Sequence, residues 1–134
     1  MKPEPHILFA DDDPDTCELV DLALRSAGFR VSIVGKSADI LPLLSSNSFD
    51  ALLLDNWMPE ISGIDICRRI RAFDQKTPIL FCSGAVAAED IASATAAGAQ
   101  GYIEKPFNPD ELINVLRAVL NANHVKSDNG RSVQ

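Results

Sequence analysis

Ala51-Leu52-Leu53-Leu54-Asp55-Asn56-Trp57-Met58-Pro59-Glu60-Ile61-Ser62-Gly63 is the stretch on which the fold turns. Four apolar residues in a row, without polar alternation, suit a strand covered on both faces. The run stops at an acid, passes through a loop shaped by Met58-Pro59, and gives way at Ser62-Gly63 to helical spacing over 62–73. Upstream, Ile7-Leu8-Phe9-Ala10 runs in the same way into Asp11-Asp12-Asp13. Further short runs rich in β-branched, leucine or aromatic residues lie at Arg30–Val34, Ile79–Cys82 and Tyr102–Glu104. Stretches with helical spacing separate them, near residues 14–27, 37–46, 87–98 and 109–121. This repeated alternation predicts an α/β fold: a five-stranded parallel sheet, doubly wound, with five helices.

Helix-end chemistry agrees with that parse. Asn108-Pro109-Asp110-Glu111 places an N-cap, a proline at the first helical position and a capping-box acid in register. Asp13, followed by Pro14, is placed to cap the first helix, Ser37 the second and Ser62 the third, while Gly28 and Gly98 suit the ends of the first and fourth. Leu112, Ile113, Leu116, Val119 and Leu120 form one apolar face of the fifth, a core face. The 134 residues make one domain, read as a lead-in over 1–5, the domain over 6–121 and a flexible polar tail over 122–134.

Composition narrows the functional classes. With 46% hydrophobic and 23% charged residues the chain is an ordinary globular protein. A formal charge of −7 provides no basic stripe, which argues against direct nucleic-acid binding. No apolar run approaches the roughly 20 residues of a membrane span, and no signal-peptide pattern opens the chain. Cys17, Cys67 and Cys82 sit inside apolar segments without metal-ligand spacing, as expected of core cysteines in a reducing cytoplasm. His6 and His124 lie near opposite termini and offer no histidine-based site.

The residues just past each strand carry the chemistry. The first strand ends in Asp11-Asp12-Asp13, the third in Asp55, the fourth in Ser83-Gly84 and the fifth in Lys105-Pro106. In an open parallel sheet these ends share one edge, where ligands bind at the reversal of strand order. Clustered carboxylates repel unless a positive charge sits among them, and one lysine is too little for three acids. A hard divalent cation with oxygen preference completes the balance, and Mg2+ suits best because it leaves coordination positions for phosphate oxygens. A carboxylate beside Mg2+, a hydroxyl and an ammonium make a phosphoryl-transfer site, with an aspartate able to act as nucleophile.

In their order along the chain, Asp11-Asp12, the D-x-x-M-P-x-x-x-G pattern from Asp55 to Gly63, Pro78-Ile79-Leu80-Phe81-Cys82-Ser83-Gly84 and Ala97–Phe107 resemble the receiver domain of bacterial two-component response regulators over residues 6–121. The resemblance implies the flavodoxin-like strand order 2-1-3-4-5 and a set of roles. Asp55 would be the phosphoacceptor. Asp11, Asp12, Asp55 and the Trp57 backbone carbonyl would hold Mg2+. Ser83 and Lys105 would bind the phosphoryl group, with a cis bond between Lys105 and Pro106. Tyr102 would be the switch aromatic. Trp57 and Ala85 occupy the positions that tune hydrolysis. The implied donor is a phosphohistidine on a sensor histidine kinase or phosphotransfer protein, and the output is a protein-interaction surface for a downstream partner. Such a protein is a cytoplasmic switch that acts on itself and turns over no external substrate.

Two rival functions remain legible: a receiver-like scaffold that binds partners without phosphorylation, and an aspartate-dependent phosphatase suggested by Asp11-x-Asp13. The alanine-rich fourth helix either permits a close-packed homodimer or is simply a good helix former. With about a dozen residues after the last expected helix and Met1 just ahead of the first strand, the chain reads as a stand-alone receiver.

Overall fold

The computed structural model of the protein describes residues 4–84 and 88–132, with 124–132 described as backbone. Strands β1 (His6–Ala10), β2 (Arg30–Val34), β3 (Ala51–Leu54), β4 (Ile79–Ser83) and β5 (Gly101–Glu104) alternate with helices α1 (Pro14–Ser26), α2 (Ile40–Ser46), α3 (Gly63–Arg71), α4 (Ala88–Ala97) and α5 (Pro109–Ser132). The strands pair in parallel in the order β2-β1-β3-β4-β5, the doubly wound flavodoxin-like sheet. In register, Ala10 lies opposite Val34 and Leu54, and Leu54 opposite Phe81. The strand order reverses between β1 and β3, so a crevice opens where those two strands end.

The uninterrupted apolar runs are explained by burial on both faces. Leu8, Ala10, Leu52 and Leu54 turn to one side and pack with Ile40 of α2, Ile66 and Ile70 of α3 and Ala94 of α4. Their neighbours Ile7, Phe9, Ala51 and Leu53 turn to the other side, against Val20 and Leu24 of α1 and Leu112 and Leu116 of α5. Each fully buried leucine, isoleucine or phenylalanine among them contributes about 1.5–3 kcal/mol relative to exposure. The three cysteines are free, Cys67 and Cys82 buried and Cys17 half-buried; burial pushes the Cys82 thiol up to about 12 and, with Asp11 nearby, the Cys17 thiol up to about 11.

Caps fall largely where the sequence places them. Asp13 accepts from the Thr16 N–H at 3.2 Å and Ser62 from the Asp65 N–H at 3.1 Å. Gly28 and Gly98 adopt φ of +95° and +110° at the ends of α1 and α4. Two expectations need correction. Ser37 does not cap α2: its hydroxyl bonds to Pro59 and Ile61, a single 3-10 turn spans Ser37–Asp39, and the α-helix starts at Ile40. That start places Pro42 in the first helical turn, where its missing N–H costs nothing. The last helix was expected to end near 121 and instead continues to Ser132. The sequence signal faded at 121 because the periodic apolar face ends there, although no proline follows to stop the helix.

Candidate functional site

Backbone hydrogen bonds beyond the strand ends fix the residues that line the crevice. The Asp11 N–H donates to the Val34 carbonyl at 3.0 Å, the Asp55 N–H to the Ala10 carbonyl at 2.9 Å and the Lys105 N–H to the Ser83 carbonyl at 2.8 Å. Three side chains far apart in the chain are thereby held on one sheet edge by extensions of its own ladder. Gly63 packs the start of α3 against this edge. A Cβ there would stand 2.8 Å from the Asp55 carbonyl oxygen, 2.9 Å from the Asn56 Cα and 2.7 Å from the Phe81 ring, so the close strand-to-helix connection admits no side chain.

Asp11, Asp12 and Asp55 each bring a carboxylate oxygen within 4.8 Å of the others. Asp11 is 1% exposed and Asp55 6%. Asp12 and Asp13 are exposed, so of the three consecutive acids after β1 one is buried in the crevice and two open to solvent. The Lys105 ammonium pairs closely with Asp11 Oδ2 and lies 3.7 Å from Asp55 Oδ2. Burial pushes the Asp11 carboxyl above its ordinary range, against the opposing pull of Lys105 and of the Asp13 N–H, which donates to Asp11 Oδ1 at 2.9 Å. Burial works against the Lys105 charge, but Asp11 and Asp55 outweigh it and carry the ammonium above its usual value. Both values rise, but burial wins at Asp11, the more deeply buried partner, whereas the paired acids win at Lys105.

The two oxygens of Asp55 have different surroundings. Oδ1 accepts from the Ser83 hydroxyl at 3.0 Å and from the Trp57 N–H at 3.1 Å. Oδ2 faces Lys105. Ser83 is fully buried, and its hydroxyl also accepts from the Asn56 N–H at 2.8 Å. Three acids against one ammonium leave an excess of negative charge in a partly buried crevice. Oxygen donors without sulfur or imidazole fit a hard divalent cation better than a transition metal.

The Lys105–Pro106 bond is cis. Tyr102, on β5, is half-buried with its ring 5.9 Å from that of Phe81. Its hydroxyl is buried with no hydrogen-bond partner among the described residues. Burial raises its pKa; Ser83 and Asn56 are near enough to weigh on its ionisation, but neither is placed to bond it. Trp57 is 59% exposed beside Asp55. Ala85 lies outside the described residues.

Two residues emerge that the sequence reading passed over or misread. Asn56 is 4% exposed, and its Oδ1 accepts the Ile64 N–H at 3.2 Å, tying the loop after β3 to α3. A second polar residue directly after Asp55, past a buried strand, was the available signal. Ser37 is 1% exposed and reaches the same loop from the connection between β2 and α2. Its position before a helical segment pointed to a cap instead.

Comparison with known proteins places this geometry. The DNA-binding response regulator MtrA of Mycolicibacterium smegmatis (strain ATCC 700084 / mc(2)155) is 36% identical over 117 residues, covering 87% of this chain and 51% of the relative. The cell cycle transcriptional regulator CtrA of Caulobacter vibrioides (strain NA1000 / CB15N) is 34% identical over 114 residues, covering 85% of this chain and 49% of the relative. The chain thus spans about half the length of the curated relatives it matches. Among solved structures, the chemotaxis response regulator CheY4 of Vibrio cholerae superposes with a TM-score of 0.82 at 29% identity, covering 87% of this chain and 98% of that one. The response regulator receiver domain family matches residues 7–117, most of the chain and every strand of the sheet, and the chain belongs to that family.

Proposed function

We propose that this receiver is a phosphorylation switch in which Asp55 accepts a phosphoryl group from a phosphohistidine on a sensor histidine kinase or phosphotransfer protein. The observation that carries the reading is the meeting of Asp11, Asp12, Asp55, Ser83 and Lys105 at one sheet edge. Asp55 Oδ2 is the attacking oxygen, since Oδ1 already holds two donors. It forms a bond to phosphorus as the phosphorus–nitrogen bond breaks, and the imidazole leaves with the electron pair. The product is an acyl phosphate on Asp55.

Asp11, Asp12, Asp55 and the Trp57 carbonyl would hold Mg2+. When bound, the ion supplies positive charge against the phosphoryl oxygens and relieves the repulsion among the acids. Lys105 pairs with another phosphoryl oxygen, exchanging its contact with Asp11 for the incoming charge. Ser83 turns its proton from Asp55 Oδ1 to a phosphoryl oxygen. That shift changes the space beside the buried Tyr102 hydroxyl, so phosphorylation favours one arrangement of the surface around α4, β5 and α5. A downstream protein reads that surface; the charge of −7 disfavours nucleic acid as the direct partner. No helix among the described residues is long and apolar enough to cross a membrane.

The receiver promotes only its own phosphorylation and dephosphorylation. The phosphatase alternative is weakened by Asp13, whose carboxylate is engaged in capping α1. The test against the phosphate-independent scaffold is a beryllofluoride titration with Mg2+, followed through Trp57 emission. A saturable, Mg2+-dependent change that disappears in Asp55→Asn is expected. A flat response from the unmodified chain would favour the scaffold.

A further inference from the structure

Ser37 plays no part in the chemistry above, yet its side chain is 1% exposed and fully engaged. Its hydroxyl donates to the Pro59 carbonyl at 2.7 Å and accepts from the Ile61 N–H at 3.1 Å. The same Ile61 N–H also reaches the Pro59 carbonyl at 3.0 Å, which closes a three-residue turn around Glu60. Glu60 has φ +78°. A turn of this kind with positive central φ is rare and strained, and for a residue with a Cβ it persists when surrounding contacts over-determine it. Ser37 supplies such contacts at both ends of the turn from a separate segment, the connection between β2 and α2.

The turn lies on the loop that leaves the acceptor. Trp57, two residues before Pro59, donates its N–H to Asp55 Oδ1 at 3.1 Å, so the path of the loop and the orientation of Asp55 are linked. We infer that Ser37 is a positioning residue for the cation site, bracing the Pro59–Ile61 turn so that the Trp57 backbone stays in register with Asp55. The inference rests on reading the Asp11, Asp12 and Asp55 cluster as a cation site. Packing alone would require a small side chain at 37 but no hydroxyl, and this difference makes the role testable.

Trp57 is the single tryptophan of the chain, so its emission reports on the site. Mg2+ titrations on the unmodified chain, Ser37→Ala and Ser37→Cys, each with its melting temperature, form the test. Ser37→Ala should fold, because Pro59 and Ile61 still satisfy each other. Its Mg2+ affinity should fall roughly tenfold, the loss typical when a group supporting a metal ligand is removed. Ser37→Cys keeps the site filled but replaces the hydroxyl with a weak donor and acceptor, and should fall between the two. If Ser37→Ala does not fold, the Ser37→Cys affinity decides alone. Variants that bind Mg2+ within about twofold of the unmodified chain, whatever their melting temperatures, would overturn the inference. An unmodified chain that shows no Mg2+ response would instead refute the cation site itself, and the role of Ser37 with it.

Discussion

Lys105 stands between carboxylates that would otherwise confront one another. Asp11 is the deeper of its partners, so Lys105→Met strands a buried carboxyl without its ammonium. Without Mg2+ this variant should lose about 1–3 kcal/mol of stability, the cost of an unsatisfied buried group, measured from urea midpoints. Added Mg2+ should recover part of that loss, because a bound cation replaces the missing charge. An unchanged midpoint would mean that the ion pair is not what makes the crowded acids tolerable. The exposed indole of Trp57 stands beside Asp55, where it would hinder water approaching in line with the proposed acyl phosphate. Trp57→Asn should therefore hydrolyse its phosphate faster, followed as decay of the phosphorylated form; an unchanged rate would remove the indole from the account.

Among the elements, the connection from α3 to β4 is organised by Asp74. Its carboxylate accepts from the Lys76 N–H at 2.9 Å, the Thr77 N–H at 3.1 Å and the Thr77 hydroxyl at 2.5 Å. Burial alone would raise this carboxyl, but the bonds from Thr77 and Lys76, with Arg71 nearby, hold it below its ordinary value. A group depressed in the folded state contributes stability above its unfolded pKa, near 3.9, and loses it as pH falls through the folded value. Asp74→Asn keeps an acceptor oxygen but does not titrate. The stability difference between the two chains should be constant from about pH 5 to 7 and should shrink below about pH 4. Urea unfolding across that range measures it, and a gap independent of pH would contradict the assignment.

The elements also mark where sequence reading succeeds. The runs Arg30–Val34 and Ala51–Leu54 became strands with those same bounds: two-sided burial leaves Ala51–Leu54 unbroken, whereas the edge strand β2 buries only Val31 and Val34 and was marked by its β-branched residues. Ser37 was misread because a serine before a helical segment matches a local capping rule, whereas its partners Pro59 and Ile61 lie far along the chain, on the loop after β3. The end of α5 was misjudged because periodicity records burial, and a helix can outlast its buried face.

Strand order turns a set of separated acids into one site. Asp11 and Asp55 were legible because each ends an apolar run, and the parallel topology then placed them together with Ser83 and Lys105. Asn56 was not, because its contribution is to connect Ser83 with α3, a role visible only once β3, β4 and α3 are assembled. The crowded carboxylates are thus a property of the fold as much as of any residue.

Their purpose is tested most directly by intact-mass measurement after incubation with Mg2+ and acetyl phosphate. The chain should gain about 80 Da, the mass of one phosphoryl group, on Asp55, and Asp55→Asn should gain nothing. An unmodified chain that never takes up that mass, or an Asp55→Asn chain that still does, would contradict the account.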